Sequence, residues 1–262
     1  MNKFIHLHTH TVFTRGNSTL EVDDLLQKCV NDGVSTTAIV DSGNIDGFSL
    51  FTQKCGEYGV EPIYGCGFYV TDGSRFDEDG TVSHLVLLVK SSTGMKNLKT
   101  LSELSFKEGF AKNKARIDDE LIQKYSEGLI CFTGGLGGDV DKAIAADDLK
   151  KAERRIKFYH SVFGGDFYLE LQNHGLEKNR VSVDTLVKFS EELNIPTIAT
   201  QGSFYLNRED AEACNILRRE NGNRELPGND CYFKSSDEML ALFADYPEAL
   251  ENVQKVVKQV TS

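Results

Sequence analysis

The chain has 262 residues and a formal net charge of −11, with 40% hydrophobic and 26% charged residues. This profile is that of a soluble globular protein with room for one large α/β domain. It excludes a membrane-spanning segment of roughly 20 apolar residues, and the acidic balance argues against a domain that grips a nucleic-acid backbone by itself.

Apolar periodicity predicts alternating strands and helices in the first part of the chain. A strand is predicted at residues 4–10, and Ser18 or Thr19 is the predicted cap of a helix at about 21–31. The following elements are, in order, a strand at 36–40, a helix ending at 58, and strands at 62–70 and 84–89. The last of these runs is almost continuously apolar, which is typical of a strand buried on both faces.

The same alternation continues to the end of the chain. We predict helices at 94–106 and 118–125, a strand at 129–133, a glycine-rich loop at 134–138, two helical stretches, a strand at 167–171, a helix at 181–193 and a strand at 197–200. Such alternation predicts βαβ units, a parallel sheet and a closed or distorted barrel, which would carry its chemistry at the carboxyl ends of the strands. We expect the barrel to span about 1–206, with a mostly helical segment at about 207–262.

Three histidines in the first predicted strand are candidate metal ligands. His6, His8 and His10 are spaced by two, so a regular strand would place them on one face. Two imidazoles at this spacing can chelate one ion. A lone histidine at a strand end is more often a hydrogen-bonding side chain, but three on one face favour a ligand cluster.

Polar side chains at other predicted strand ends are weaker candidates. Asp41 follows the second strand, where it could ligate a metal, orient an imidazole or cap a turn. His84 opens an apolar strand and needs a partner in space. Glu170, Gln172 and His174 lie at period two at the end of a later strand, and Glu170 and Gln172 would share a strand face. For these three residues, metal binding and a plain polar strand end have similar weight.

Other chemistry is not indicated by the sequence. The loop at 134–138 lacks the GK[ST] ending of a phosphate-binding P-loop. The six cysteines form no CxxC pair, so they are expected to be reduced thiols. The N-terminus has no apolar run typical of a secretory signal, and we therefore expect a cytoplasmic protein without a membrane partner.

The order of several motifs resembles the PHP (polymerase and histidinol phosphatase) family. These motifs are FIHLHTHT at 4–11, AIVDSGNIDGF at 38–48, PIYGCGFYV at 62–70, EGLICFTGGLGGDV at 127–140, YLELQNHG at 168–175 and IPTIATQGSFYLN at 195–207. The segments TGMKNL at 93–98 and FADYPEALENV at 243–253 are similar to the branch that forms the N-terminal domain of bacterial DNA polymerase III alpha subunits. The resemblance covers essentially the whole chain.

The resemblance implies a distorted seven-stranded (β/α) barrel of PHP type with a helical C-terminal segment. Active members hold up to three metal ions in a cleft and hydrolyse phosphoesters, and some polymerase PHP domains are 3′–5′ exonucleases. In other members the site is degenerate, and the domain supports the polymerase and docks the proofreading exonuclease subunit.

This chain departs from the active pattern at several ligand positions. His8, His10, Asp41 and His84 match the family, and they form the predicted residual site, with His6, Glu170 and His174 as weaker candidates. The positions that depart from the pattern are Ser42, where active members have His, Gly67 for Glu, Gly135 for Cys, Gly202 for Asp, Phe204 for His, and Asn17 near an expected acid. We therefore expect no required cofactor, or a single weakly bound Zn, Mn or Mg ion.

Three functional hypotheses follow. The leading one is a mainly structural and partner-docking domain in DNA replication, at the N-terminus of a longer polymerase alpha chain. Its expected partners are the rest of that chain, the proofreading exonuclease subunit, and DNA bound through the parent polymerase. The alternatives are an active metal-dependent phosphoesterase or exonuclease, and a stand-alone histidinol-phosphatase-like enzyme.

Overall fold

The computed structural model describes residues 3–260, which form one mixed sheet surrounded by helices. The last two residues of the predicted helical segment lie outside the described range. The strands are β1 Thr36–Ser42, β2 Glu61–Thr71, β3 Val82–Val89, β4 Arg116–Ile117, β5 Leu129–Phe132, β6 Phe167–Gln172 and β7 Thr197–Thr200. The helices are α1 Val22–Asn31, α2 Phe48–Tyr58, α3 Ser92–Lys107, α4 Asp119–Lys124, α5 Asp139–Ala145, α6 Leu149–Phe163, α7 Glu177–Leu193, α8 Ala211–Glu220, α9 Ser236–Leu242 and α10 Pro247–Val260.

The strands run in the order β1-β2-β3-β5-β6-β7, with the two-residue β4 paired to β2. The predicted fully parallel sheet is wrong at β3, which pairs antiparallel with β2 and with β5. No helix separates β2 from β3, and a short direct connection between sheet neighbours gives an antiparallel pair, because a parallel pair needs a long crossover. The remaining pairs are parallel.

The predicted strand at 4–10 is an irregular segment that links the two ends of the curled sheet. On one side the N–H groups of Ala38 and Val40 donate to the carbonyls of His6 and Thr9, at 3.0 and 2.7 Å. On the other side the N–H of His10 donates to the carbonyl of Ser203 at 2.9 Å. From Ala38 to Val40 the strand β1 advances by two residues, whereas the facing segment advances by three, from His6 to Thr9. The extra residue is a bulge, which interrupts the period-two alternation that the sequence suggested.

Some helices begin at a capping side chain. Asp118 caps α4 by accepting from the N–H of Leu121, and Ser235 and Glu238 form a capping box at the start of α9. The predicted cap of α1 is wrong, because the N-cap is Glu21, without a side-chain bond, rather than Ser18 or Thr19. The hydroxyl of Ser18 instead donates to the carbonyls of His10 and Phe204, and so fixes the loop next to the histidines.

The core lies between the sheet and the helices that cover it. Residues 85–88 in β3 and 129–132 in β5 are fully buried, as the continuous apolar runs predicted. Helix α10 packs its buried side chains Val253 and Val256 against this core, next to β7. Within residues 3–260 no helix is both long and apolar enough to cross a membrane.

Candidate functional site

Polar side chains gather where β1, β6 and β7 end and β3 begins. The central pair is His8 and Glu170, whose Nδ1 and Oε1 atoms are 2.6 Å apart. Both side chains are buried. The hydroxyl of Thr200 also donates to Oε1 of Glu170, at 2.5 Å, and the Nε2 of Gln172 donates to it at 3.2 Å. A buried carboxylate needs such partners, because an unpaired charge in the interior is costly.

The ionised form of Glu170 is favoured by these contacts. Burial by itself raises the pKa of a carboxyl group. The charge of His8 and the hydrogen bonds from His8 and Thr200 outweigh that effect and hold the pKa of Glu170 below its usual range. The second oxygen, Oε2, is buried without a hydrogen-bond partner in the described part of the chain.

His10 lies against His8, with their Nε2 atoms 3.1 Å apart. The Nδ1 of His10 is 3.4 Å from the hydroxyl oxygens of Thr14 and Ser42. The hydroxyl of Thr14 donates its proton to Asp41, whereas that of Ser42 can donate to His10. The two facing Nε2 atoms can share a proton or a cation.

The phenyl ring of Phe204 covers one face of His10, with ring centroids 4.2 Å apart and planes 16° from parallel. Burial is the main cause that lowers the pKa of His10 well below its usual value, and the charges of His8, His84 and Arg218 add to it. These surroundings favour the neutral form of the His10 imidazole.

Asp41 is not directed at the imidazoles. Its Oδ1 accepts from the backbone N–H of Thr11 at 2.6 Å and from the hydroxyl of Thr14 at 2.7 Å, and its Oδ2 accepts from the hydroxyl of Thr11 at 2.8 Å. Burial raises the pKa of Asp41, although these hydrogen bonds oppose the shift. The carboxylate thus fixes the segment that brings Thr14 to His10, rather than capping the turn that follows β1.

His84 reaches the same cleft as His8 and His10, because β3 runs opposite to its neighbours. The start of an antiparallel strand lies at the edge where parallel strands end. His84 pairs with Tyr69 of β2, and the two rings meet edge to face at 4.7 Å. Burial, followed by the charges of His8 and nearby lysines, lowers the pKa of His84 to about 3. A cleft of about 260 Å³ is lined by all three histidines.

The two other candidate histidines have different surroundings. His6 lies apart from His8 and His10, because the bulge breaks the alternation. Its Nε2 contacts the carbonyl of Lys234 at 2.8 Å, and its ring lies between Phe4 and Phe233. His174 does line the cleft, and its Nδ1 is 2.8 Å from the Nε2 of Gln201. Its other nitrogen contacts the Oε1 of Gln172 at 3.5 Å. Burial lowers the pKa of both histidines to about 4.

Two members of this site, Thr200 and Gln201, were not singled out as candidates from the sequence. Together with Gln172 they connect His8, Glu170 and His174 into one set of hydrogen bonds. We call this set, together with His10, the imidazole network. The sequence signal for Thr200 and Gln201 is only their place at the end of β7. Partners in the network are as many as 164 residues apart in sequence, so the pairing could not be read from a local motif.

Three glycines, which have no side-chain atom that could bind a metal, lie near the histidines or the imidazole network. A Cβ atom built on Gly67 would lie 3.6 Å from both the Nδ1 of His84 and the hydroxyl oxygen of Ser42. One built on Gly202 would lie 3.4 Å from the Nε2 of Gln172. Gly135 has a φ of +55°, and a Cβ there would be 2.1 Å from the Oε1 of Gln172. The side chain of Gln172 thus occupies the space that a larger residue at 135 would need.

These donors do not fit a cluster of several metal ions. Within residues 3–260, no group of three or more His, Cys, Asp or Glu side chains is positioned to hold an ion. The His8 and His10 pair alone fits one ion, because two imidazoles on a tetrahedral zinc, at about 2.0–2.1 Å each, have nitrogens roughly 3.3 Å apart. The unpartnered Oε2 of Glu170 adds a nearby negative charge.

Comparisons with known proteins agree with the motif order. Residues 6–174 match the PHP domain family. The chain is 38% identical to the DNA polymerase III subunit alpha of Borreliella burgdorferi, over 98% of this chain and 24% of that protein. It is 34% identical to the same subunit of Aquifex aeolicus, over 98% of this chain and 24% of that one. The Thermus aquaticus subunit is 35% identical, over 94% and 21%.

The chain therefore spans about a quarter of the length of these curated relatives. Among solved structures, it overlaps a two-domain protein from Bacteroides vulgatus that contains a predicted PHP-like metal-dependent phosphoesterase. The TM-score is 0.46 at 13% sequence identity, and the overlap covers 91% of this chain and 62% of the other.

Proposed function

The chain belongs to the PHP domain family, and from this premise we propose that it is the N-terminal domain of a bacterial replicative DNA polymerase alpha chain. In this proposal its role in DNA replication is mainly structural, and its metal site is degenerate. The similarity to polymerase alpha subunits over nearly the whole chain supports the first part. The imidazole network supports the second part.

The observation that supports the proposal is that side chains of the protein itself fill the surroundings of the histidines. Phe204 stacks on His10, and Gln172 fills the space beside Gly135. His8 is held by Glu170, and Asp41 is fully engaged by Thr11 and Thr14. We expect a site with these internal partners to keep its shape without ions, although the Oε2 of Glu170 and the Oε1 of Gln201 have no hydrogen-bond partner in the described part of the chain.

We propose that the site binds at most one divalent ion, held by His8 and His10 with His84 lining the cleft. A bound ion of this kind would polarise a phosphoryl oxygen or a water molecule. The protein groups around it would orient the imidazoles, through the bond from His8 to Glu170 and the stack of Phe204 on His10. Neither Zn, Mn nor Mg is needed for the domain to fold.

The expected partners follow from the same premise. They are the remainder of the alpha chain, the proofreading exonuclease subunit, and DNA that is bound by the parent polymerase in the cytoplasm. A domain with a net charge of −11 is poorly suited to holding duplex DNA by itself.

A second candidate function is a metal-dependent phosphoesterase or 3′–5′ exonuclease. It is favoured by the 3.1 Å separation of the His8 and His10 nitrogens and by the free Oε2 of Glu170. The stand-alone histidinol-phosphatase-like enzyme has less support, because the curated relatives described above are polymerase subunits.

The test is turnover of a 3′-labelled oligonucleotide and of p-nitrophenyl phosphate, with Mn²⁺ or Zn²⁺ added. We expect no turnover above background, and no difference between wild type and His8→Ala or His10→Ala. His160→Ala is the matched control, because His160 is exposed on α6. Activity that is lost in the His8 and His10 variants but kept in the control would replace the proposal with the second candidate.

A further inference from the structure

One of the six cysteines opens onto the cleft of about 260 Å³ that the three histidines line, which we call the histidine cleft. This residue is Cys231, whose side chain is otherwise buried. Four others belong to the main apolar core, namely Cys29, Cys55, Cys66 and Cys131. Cys214 lies in the same small apolar cluster as Cys231, but its Sγ contacts the carbonyl of Asn17 at 3.5 Å. Burial raises the pKa of all six thiols, so the surroundings of Cys231, rather than its acidity, distinguish it.

The thiol of Cys231 contacts the imidazole of His174. Its Sγ lies 3.5 Å from Nδ1, and the amide nitrogen of Gln201 lies 2.8 Å from the same Nδ1. This amide nitrogen also donates to the carbonyl of Asp230 at 2.8 Å, which fixes the orientation of the amide, because a carbonyl oxygen only accepts. The Nδ1 of His174 is therefore the acceptor nitrogen. The ring proton of the neutral imidazole is on Nε2, 3.5 Å from the Oε1 of Gln172.

This arrangement places a general base next to a nucleophile. The Nδ1 of His174 can accept the proton that the thiol of Cys231 gives up, and Gln172 holds the imidazole in the tautomer that leaves Nδ1 without a proton. A base in contact is needed, because burial raises the pKa of the Cys231 thiol to about 12. The charges of Lys234 and Arg218 oppose this shift, and they stabilise the thiolate once it forms.

The surroundings of this pair offer contacts to a small bound molecule. The charged residues that line the histidine cleft are Lys178 and Arg218, and within residues 3–260 no carboxylate is among its lining residues. The amide of Gln201, which contacts His174, is fully buried, and its Oε1 has no hydrogen-bond partner in the described part of the chain. A buried acceptor of this kind is usually paired, so it is available to a donor group of a ligand.

We propose that Cys231 is a modification site, at which small disulfides that carry carboxylates form a mixed disulfide inside the histidine cleft. The thiol and its neighbouring base supply the reaction, and Lys178 and Arg218 attract the carboxylates of the incoming molecule. The adduct would fill part of the cleft that His8 and His10 also line. The inference goes beyond the proposed scaffold role, since it requires neither an ion at His8 nor hydrolysis.

The reaction is a thiol–disulfide exchange. The Sγ of Cys231 attacks one sulfur of the small disulfide, and its proton moves to the Nδ1 of His174. A bond forms between Sγ and that sulfur, and the bond between the two sulfurs of the small molecule breaks. The departing thiolate then takes the proton from His174. The small disulfide is thus the oxidant, one half of it leaves as a thiol, and an excess of free thiol reverses the reaction.

The test is the reaction of the folded 262-residue chain with dithiodiglycolate, a small disulfide with two carboxylates, followed by intact mass measurement and peptide mapping. We expect one adduct per chain, on Cys231, and its complete removal by dithiothreitol. Cystamine, a small disulfide with two ammonium groups, should react at least threefold more slowly, because the cleft is lined by cations. Each rate is first divided by the rate of the same disulfide with a small free thiol, which corrects for the reactivity of the reagent.

The deciding variants come in two matched pairs. Cys231→Ser should form no adduct, whereas Cys214→Ser, from the same apolar cluster, should react at the wild-type rate. His174→Gln should lower the rate of adduct formation at least tenfold, as expected for loss of a general base. His6→Gln changes a buried histidine outside the cleft, and it should keep the rate within about twofold of wild type. The proposal is overturned if wild type forms no adduct or reacts at another cysteine, if both disulfides react equally, or if His174→Gln reacts no more slowly than His6→Gln.

Discussion

Phe204 lies parallel to His10, with 4.2 Å between the ring centroids, at the position where active PHP domains are expected to carry a histidine. A phenyl ring has no donor atom for a metal, but it packs well on a neutral imidazole. Phe204 therefore contacts His10 by stacking, and His10 stays buried and held in place. Under the proposal of a degenerate site, this contact would keep the shape of the site without ions.

We predict that Glu170 stabilises the folded domain and does not take part in catalysis. Glu170→Ala removes the partner of His8 and the acceptor of Thr200, and so leaves buried polar groups without hydrogen bonds. We expect a loss of about 3 kcal/mol in the free energy of unfolding, typical of breaking a buried pair. Urea denaturation followed by circular dichroism measures this loss.

The matched control is Glu177→Ala. Glu177 also pairs with a basic residue, Arg180, but both side chains are exposed. Exposed pairs contribute about 0–1 kcal/mol, so the control should change little. If Glu170→Ala were as mild as the control, the imidazole network would not be a structural element.

Two glycines at positions where the family resemblance implies metal ligands should respond differently to a methyl group. At Gly67 the new Cβ has ordinary contacts of 3.5–3.6 Å, so Gly67→Ala should stay within about 1 kcal/mol of wild type. At Gly135 the Cβ would overlap the Oε1 of Gln172, and φ is +55°. We expect Gly135→Ala to lose about 2 kcal/mol, because Gln172 must leave its partners and the backbone is strained.

Chemical denaturation of the two variants side by side checks this contrast. Gly67→Ala serves as the control for Gly135→Ala, since both add one methyl group next to the same site. The contrast fails if the two variants lose the same stability. In that case Gln172 would be free to move, and the space at 135 would be open to a ligand side chain.

Much of the fold could be predicted from the sequence, because long apolar runs are local signals. The apolar run at 84–89 predicted β3, and residues 197–200 predicted β7. The direction of β3 could not be obtained from its own residues. The direction depends on the connection from β2. No helix is predicted in that connection, and this favours an antiparallel pair. The prediction of a parallel sheet did not take this signal into account.

The site was less predictable, because its contacts join distant parts of the chain. Spacing by two suggested that His6, His8 and His10 share a face, but a bulge separates His6 from the others. Asp41 was a candidate ligand from its place after β1, yet both of its oxygens bind Thr11 and Thr14. Bulges and side-chain hydrogen bonds of this kind depend on the neighbouring strands, which the sequence around each residue does not reveal.

Asp141 should produce a pH-dependent contribution to stability. This buried carboxyl group on α5 accepts from the hydroxyl of Ser182. Burial is the main cause that raises its pKa to about 7, and the charges of Glu170 and Asp139 add to the shift. The unfolded value is about 3.9. Because the folded state holds the proton more tightly, this contribution is fully present below pH 3.9 and is lost as the pH rises toward 7.

The measurement compares the unfolding free energies of wild type and Asp141→Asn between pH 4 and pH 7. The difference should fall as the pH rises, with a slope of up to about 1.4 kcal/mol per pH unit, in the direction that disfavours wild type at neutral pH. Asp184→Asn, an exposed carboxylate on α7, is the control and should show no such slope. A flat difference for Asp141→Asn would mean that the group is ionised in the folded state.

The last prediction concerns the dependence of the fold on metal. The domain has a large buried apolar core that extends over the sheet and most helices, so folding should not need an ion, unlike a small zinc-binding domain. EDTA should leave the thermal midpoint of wild type unchanged. Excess Zn²⁺ should raise the thermal midpoint by only a few degrees, since a stabilisation of about 2.7 kcal/mol requires free metal at 100 times the dissociation constant.

The double variant His8→Ala with His10→Ala should lose any rise of the midpoint caused by Zn²⁺, whereas His160→Ala should keep it. Unfolding of wild type by EDTA, or two or more ions retained through dialysis, would contradict a degenerate site. A rise that persists in the double variant would place the ion elsewhere in the protein.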